Sequence, residues 1–353
     1  MKKHLIFSLA LIFFTGYHVF SQQLITQVKP ADKKDWGYAN EKGELIIPAQ
    51  YSKCYKFSPE GFAVIYDGKE HQYYFINTKG EKLATEISGF KLKDGFGFDV
   101  AGFQNGLVMV KQKEKWGYID TKGKLAIAAK YDDANDFNGG FAAAKLGEDF
   151  FVLNTKGEEF KIAESGITDV KDFSEGLAPY RSKDKTFGFV GSDGKIAVPA
   201  QFESVGYFHQ GLAWAKTPGG DLGYIDTKGK WVIKPQFSAG KNFEKESGLA
   251  RVKLGDKWGY VDKAGKMTYV DDTKVWGDFS EGLCDGEKND KKGFYDKTGK
   301  WVIEPQFDGT RDFKNGYAAA KKGDKWGIIN KQGKWVIEPT FDGIKDLEMV
   351  TPQ

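Results

Sequence analysis

The sequence predicts an all-β fold, a tandem array of about nine three-stranded units, and three observations carry that expectation. Turn glycines recur at Gly43, Gly80, Gly123, Gly157, Gly194, Gly229, Gly265, Gly299 and Gly333, with steps of 37, 43, 34, 37, 35, 36, 34 and 34 residues. A second column, Phe-x-x-Gly, precedes a short apolar run at Phe103/Gly106, Phe137/Gly140, Phe173/Gly176, Phe208/Gly211, Phe279/Gly282 and Phe313/Gly316, and is stretched at Phe243/Gly248. A third follows each turn, as in Trp301-Val302-Ile303-Glu304-Pro305-Gln306-Phe307.

The N-terminal stretch stands apart. Lys2 and Lys3 precede an apolar run from Leu5 to Phe14, and Val19, Phe20 and Ser21 follow at a processing position, so residues 1–21 are expected to be a removed signal peptide. Residues 22–353 then form a single repeat domain on an exported protein, and no later segment is long and apolar enough for a membrane span.

Within a unit, Tyr317 to Lys321 reads as one strand, Trp326 to Asn330 as the next, and Trp335 to Ile337 as a third that Pro339 should end by removing a ladder donor. Between the last two, Asp or Asn leads and Gly closes, the chemistry of a type I turn followed by a left-handed glycine. Glycine after tryptophan should let another backbone or ring come close. One unit cannot bury its own apolar face, so neighbours must stack, and 15% aromatic residues supply the shared core. An open solenoid is preferred because units of about 35 residues are short for a propeller blade; a closed propeller-like ring is the alternative.

Some units break the pattern. Tyr73-Tyr74-Phe75 and Phe150-Phe151-Val152 replace the Trp-Gly pair, and the long step inserts sequence between Lys82 and Gln104. Leu283-Cys284-Asp285-Gly286-Glu287 is poor strand material and should be locally weak. Insertions in repeat arrays often map to a binding face, a tolerated surface loop being the alternative; Phe90, Phe96 and Phe98 of the insertion, with Tyr73, Trp214 and Trp276 outside it, are the candidate binding residues.

Charge and chemistry exclude more than they propose. The formal charge is +3; removing Lys2 and Lys3 leaves 50 basic residues against 49 acidic, interspersed, so nucleic acid is not an expected partner. Beyond residue 21 only His71 and His209 remain, far apart, so no histidine relay, metal centre, cofactor site or enzyme activity is expected. The column Asn40, Asn77, Asp120, Asn154, Asp226, Asp262, Asp296 and Asn330 is better explained by turns than by calcium, which wants six to eight oxygens. Cys54 and Cys284 lie in different units, and spacing assigns them no disulfide.

At these residues the chain resembles the WG-repeat (KWG repeat) family, whose units read Lys-Trp-Gly-Tyr-Ile-Asp-Lys-x-Gly-Lys-Trp-Val-Ile-x-Pro-x-Phe. Lys325 to Phe341 carries nearly all of that pattern, with Ile328 for the Tyr and Asn330 for the Asp, and the resemblance covers about residues 24–347. It implies a repeat-built protein and transfers no functional residue. The expected function is a non-catalytic scaffold binding a protein or surface polymer through its repeated face. The alternative is a carbohydrate or cell-wall module using exposed aromatics.

Overall fold

The computed structural model describes residues 22–93, 100–273 and 277–353, and every regular element in them is a β-strand. None of the described residues forms a helix long and apolar enough to cross a membrane. Units become blades, numbered here by their turn glycines from Gly43 in blade 1 to Gly333 in blade 9. Blade 9 shows the plan: Gly309–Thr310, Tyr317–Lys322, Lys325–Asn330 and Trp335–Ile344 are its first to fourth strands, antiparallel throughout. The three expected strands are thus joined by a short one that runs on directly from the preceding blade.

Local chemistry explains the hairpins. The Phe-x-x-Gly column places two successive residues at positive φ, as at Asn315 (54°) and Gly316 (83°), the requirement of a two-residue type I′ turn between first and second strands. All nine turn glycines between third and fourth strands have φ between 73° and 85°, as their type I plus left-handed chemistry demands. The leading Asp or Asn closes that turn itself: Asp226 Oδ1 accepts the backbone N–H groups of Lys228 and Lys230, both at 2.9 Å.

The Trp-Gly glycine has a specific steric cause. A Cβ on Gly37 would lie 2.6 Å from the carbonyl oxygen of Ile47 and 2.7 Å from the Ala49 nitrogen. Side chains stand perpendicular to a sheet, so the fourth strand passes over the face of the third at this point. The ladder records the crossing as a register jump, with Trp36 opposite Tyr51 but Tyr38 opposite Ile47. Pro48, Pro305 and Pro339 sit in that bulge, where no ladder donor is required, so proline does not end the strand as the sequence suggested; Trp335–Ile344 runs straight through Pro339. Where Phe151 replaces the glycine, the fourth strand Glu159–Lys161 is short and pairs without a bulge.

The blades form a closed ring. Among the described residues nine buried clusters each combine side chains of two successive blades, and one of them joins Ala319, Ile328 and Ile337 of blade 9 to Val28 and Ala39 of blade 1, with Ile344 where the last strand of blade 9 runs on into blade 1. Blade 1 is made from both ends of the chain: Gln23–Pro30 pairs with Trp36–Asn40 on one side and with Gly343 and Ile344 on the other, and Glu348–Val350 extends the seam. The seam repeats a contact made elsewhere, since Ile337 packs on Gly43 as Ile303 packs on Gly333. Of the two arrangements open to the sequence, the preferred solenoid therefore gives way to the ring. The weak segment expected in blade 8 is instead a full strand, Leu283–Lys288, paired residue for residue with Lys291–Asp296. Cys284 explains why: its thiol is buried against the Tyr260 and Tyr295 hydroxyls at 3.3 and 3.2 Å.

Candidate functional site at the axial rim

Successive blades touch through their first strands. Lys93 Nζ donates to the Ala134 carbonyl at 3.2 Å, and Asn135 Nδ2 to the Val170 carbonyl at 3.0 Å. In a ring only the innermost strands come this close, so the first strands line the axis. Each is followed by one residue just before a buried apolar side chain, the Phe of the Phe-x-x-Gly column or, at the seam, Leu347. With that side chain turned into the core, the preceding residue points the other way. Around the ring these residues are Lys56, Gly102, Asp136, Asp172, Tyr207, Asn242, Asp278, Asp312 and Asp346.

The rim is electrostatically uneven. Burial, then the charge of Asp172, pushes the Asp136 carboxyl up to about 6, with Lys93 opposing. Desolvation and the charges of Asp285, Asp278 and Asp346 do the same to Asp312. Arg251 Nε meets Asp278 at 2.8 Å. The acidic series is interrupted twice, by the neutral Tyr207 and Asn242 in blades 6 and 7 and, in blades 2 and 3, by Lys56, exposed and without an ion pair among the described residues, and Gly102, with no side chain at all.

A groove opens at that interruption, lined by residues from blades 9, 1, 2 and 3, among them Lys56, Ser58, Gly102, Lys314, Glu348 and Met349. Lys314 and Glu348 pair across one wall at 2.7 Å. Ser174 and Ser280 donate to the Phe208 and Phe313 carbonyls of the next blade, both at 2.7 Å. Ser58 stands at the same place in blade 2, is 4% exposed, and its hydroxyl has no partner. The chain end crosses nearby, Thr351 N–H donating to the Pro59 carbonyl at 2.9 Å.

The structure redistributes the sequence's candidates. Phe90 is not a surface residue: it is 5% exposed and stacks on Phe75 at 5.6 Å inside the core between blades 2 and 3. The inserted stretch before it is knitted in, with Lys91 paired to Lys111 as the first strand of blade 3. Tyr73 is half-buried against Tyr66, and Trp214 packs over Gly206 in blade 6. These two share no site. Phe96, Phe98 and Trp276 lie outside the described residues. The rim groove was missed because it arises where units meet; its sequence signal is the change of the column to a cation at Lys56 beside a glycine at Gly102, since Tyr207 and Asn242 also lack the Asp.

A family model for WG-containing repeats matches residues 36–69, 116–148, 187–219, 223–258, 293–326 and 326–348, more than half of the chain. The chain belongs to the WG-containing repeat family. In this WG-repeat protein the six matches begin at blades 1, 3, 5, 6, 8 and 9, the six whose fourth strand bulges over the glycine. Nothing among curated proteins matches the chain. Among solved structures, a eukaryotic initiation factor is 13% identical over 93% of this chain and 98% of its own, with a TM-score of 0.61, a likeness of fold alone. BamB from Moraxella catarrhalis is 11% identical over 80% and 94%, at a TM-score of 0.39.

Proposed function

We propose that this WG-repeat protein is an exported, non-catalytic scaffold that holds a protein partner at the rim groove. The observation that carries this reading is the reversal in the axial column: a Lys56 cation without an ion pair among the described residues, a side-chain gap at Gly102 and Ser58, whose buried hydroxyl has no partner among the described residues, line one groove. A partner segment supplying a carboxylate to Lys56 and a carbonyl to Ser58 would satisfy both. Export rests on residues 1–21, and the non-catalytic reading on the lack of a converging nucleophile and base among the described residues, where His71 and His209 belong to blades 2 and 6.

The carbohydrate alternative needs an open row of rings. The described tryptophans are buried or half-buried, with Trp231, Trp301 and Trp335 edge-on to Phe202, Tyr295 and Phe307. This favours the protein partner.

The test is site-specific photo-crosslinking in the producing cell, with the reactive residue at position 56 or, as a control, at the exposed outer position Val232. A discrete adduct from position 56 that Ser58→Ala weakens supports the reading. Equal labelling from both positions, or none from position 56, removes it. Sequencing the N-terminus of the secreted or periplasmic chain checks export separately.

A further inference from the structure

The geometry points to a second site, a pocket for an organic cation in blade 7 on the face opposite the rim groove. The groove lies among the turns joining first to second strands; this pocket lies at the turn joining second to third, Gly255-Asp256, and antiparallel order puts those turns on opposite faces.

Blade 7 keeps the glycine of the repeat, Gly259, but not the strand that crosses it. Its fourth strand is cut to Met267–Thr268, which pairs in regular register. One extra residue precedes Val270, which then covers Gly299 as Ile303 covers Gly333: a Cβ on Gly299 would lie 3.2 Å from Val270, and one on Gly333 2.9 Å from Ile303. The extra residue is Tyr269. Its ring shares the place that crossing backbone fills elsewhere, a ring carbon lying 2.9 Å from where a Gly259 Cβ would be, with the Met267 Cε and the Thr268 carbonyl oxygen at 3.0 Å. At 41% exposure it is the exposed aromatic among the described large hydrophobic residues.

Around it is a cavity lined by Asp256, Lys257, Trp258, Tyr269, Val270, Asp271 and Thr273. Trp258 is half-buried, with the Arg251 guanidinium 5.1 Å from its ring. In blades 3, 8 and 9 the lysine that opens the third strand is tied to the Asp of the following link, as Lys115 is to Asp132, Lys291 to Asp308 and Lys325 to Asp342. Lys257 has no such tie, and Asp256 and Asp271 carry no ion pair among the described residues. The cavity therefore offers the Tyr269 ring beside Trp258, whose ring already carries Arg251, and two carboxylates, Asp256 and Asp271, against the exposed Lys257 amine. Ring faces and carboxylates both attract a compact positive charge with an apolar surface, which is an alkylated ammonium group. A neutral sugar would use the rings but not the charges.

The mature chain is titrated with choline and with its neutral isostere, carbon replacing the quaternary nitrogen, following tryptophan fluorescence and Tyr/Trp chemical shifts. Choline should saturate and bind about tenfold more tightly than the isostere. Tyr269→Ala, and Asp256→Asn with Asp271→Asn, should each weaken it about five- to tenfold, while Tyr269→Phe retains it. Circular dichroism and the unfolding midpoint of each variant check the fold, and Tyr269→Phe and the Asn pair keep the test valid if the alanine variant unfolds. Equal binding of choline and isostere, tighter binding of a neutral sugar such as glucose, no saturation, or indifference to both sets of variants overturns the assignment. None of these outcomes bears on the rim groove.

Discussion

Ile127 lies across Gly117: a Cβ on that glycine would meet the Ile127 carbonyl oxygen at 2.6 Å, and the Ala129 nitrogen at the same distance. The same relation between third-strand glycine and fourth-strand backbone recurs at Gly37, Gly188, Gly223, Gly293 and Gly327. It is what carries the chain from the last strand of one blade to the first strand of the next with one residue between them, as Asp308 stands between Phe307 and Gly309.

Gly117→Ala should therefore destabilise the protein by about 2–3 kcal/mol, the cost of overpacking against backbone that cannot rotate away. Gly68→Ala has open space and no positive φ, and should change stability by less than about 0.5 kcal/mol. Urea unfolding of both variants reads the difference. Equal midpoints would show that the crossing strand yields.

Tyrosine hydroxyls tie blade to blade. Tyr38, Tyr118, Tyr224 and Tyr260 donate to the carbonyls of Tyr55, Asn135, Lys241 and Gly277, in the innermost segment of the following blade. Tyr224→Phe keeps the ring and removes a 2.8 Å bond, so it should cost about 1 kcal/mol without altering the far-ultraviolet circular dichroism.

Asp136 binds its proton more tightly in the fold than in the unfolded chain, because burial and Asp172 both disfavour the charged form. Its ionisation is therefore a penalty, carried in full above about pH 6 and relieved as the pH falls towards the unfolded value of about 4. Asp136→Asn should raise stability by about 1–2 kcal/mol at pH 7 and by nothing near pH 4. Thermal unfolding of both proteins across that range tests it; a constant offset would contradict the rim assignment.

The seam is the ring's one non-local closure. Removing residues 343–353 deletes Ile344, Leu347 and Val350, each 0–1% exposed, and leaves Gln23–Pro30 with an open edge. The truncated chain should become sensitive to proteolysis near residues 22–40 and associate through that edge, as size-exclusion chromatography with light scattering would show.

The sequence by itself determined the repeat, the hairpins and the apolar faces, because these depend on residues close in the chain. Gly43 to Gly333 mark nine turns whose left-handed φ only glycine adopts cheaply, and Trp-Gly announced a close approach. Proline was misread for want of one fact, that a strand can bulge over a glycine where no ladder donor is required. Tertiary structure alone decided what depends on distant partners. Val28 pairs with Ile344 across the whole chain, and that pairing, invisible to any local pattern, makes a ring of an array. Phe90 is core because Phe75 stacks on it from the neighbouring blade. The rim groove and the Tyr269 pocket follow the same rule: each forms where a repeat departs from its pattern, and only packing shows which surface the departure exposes.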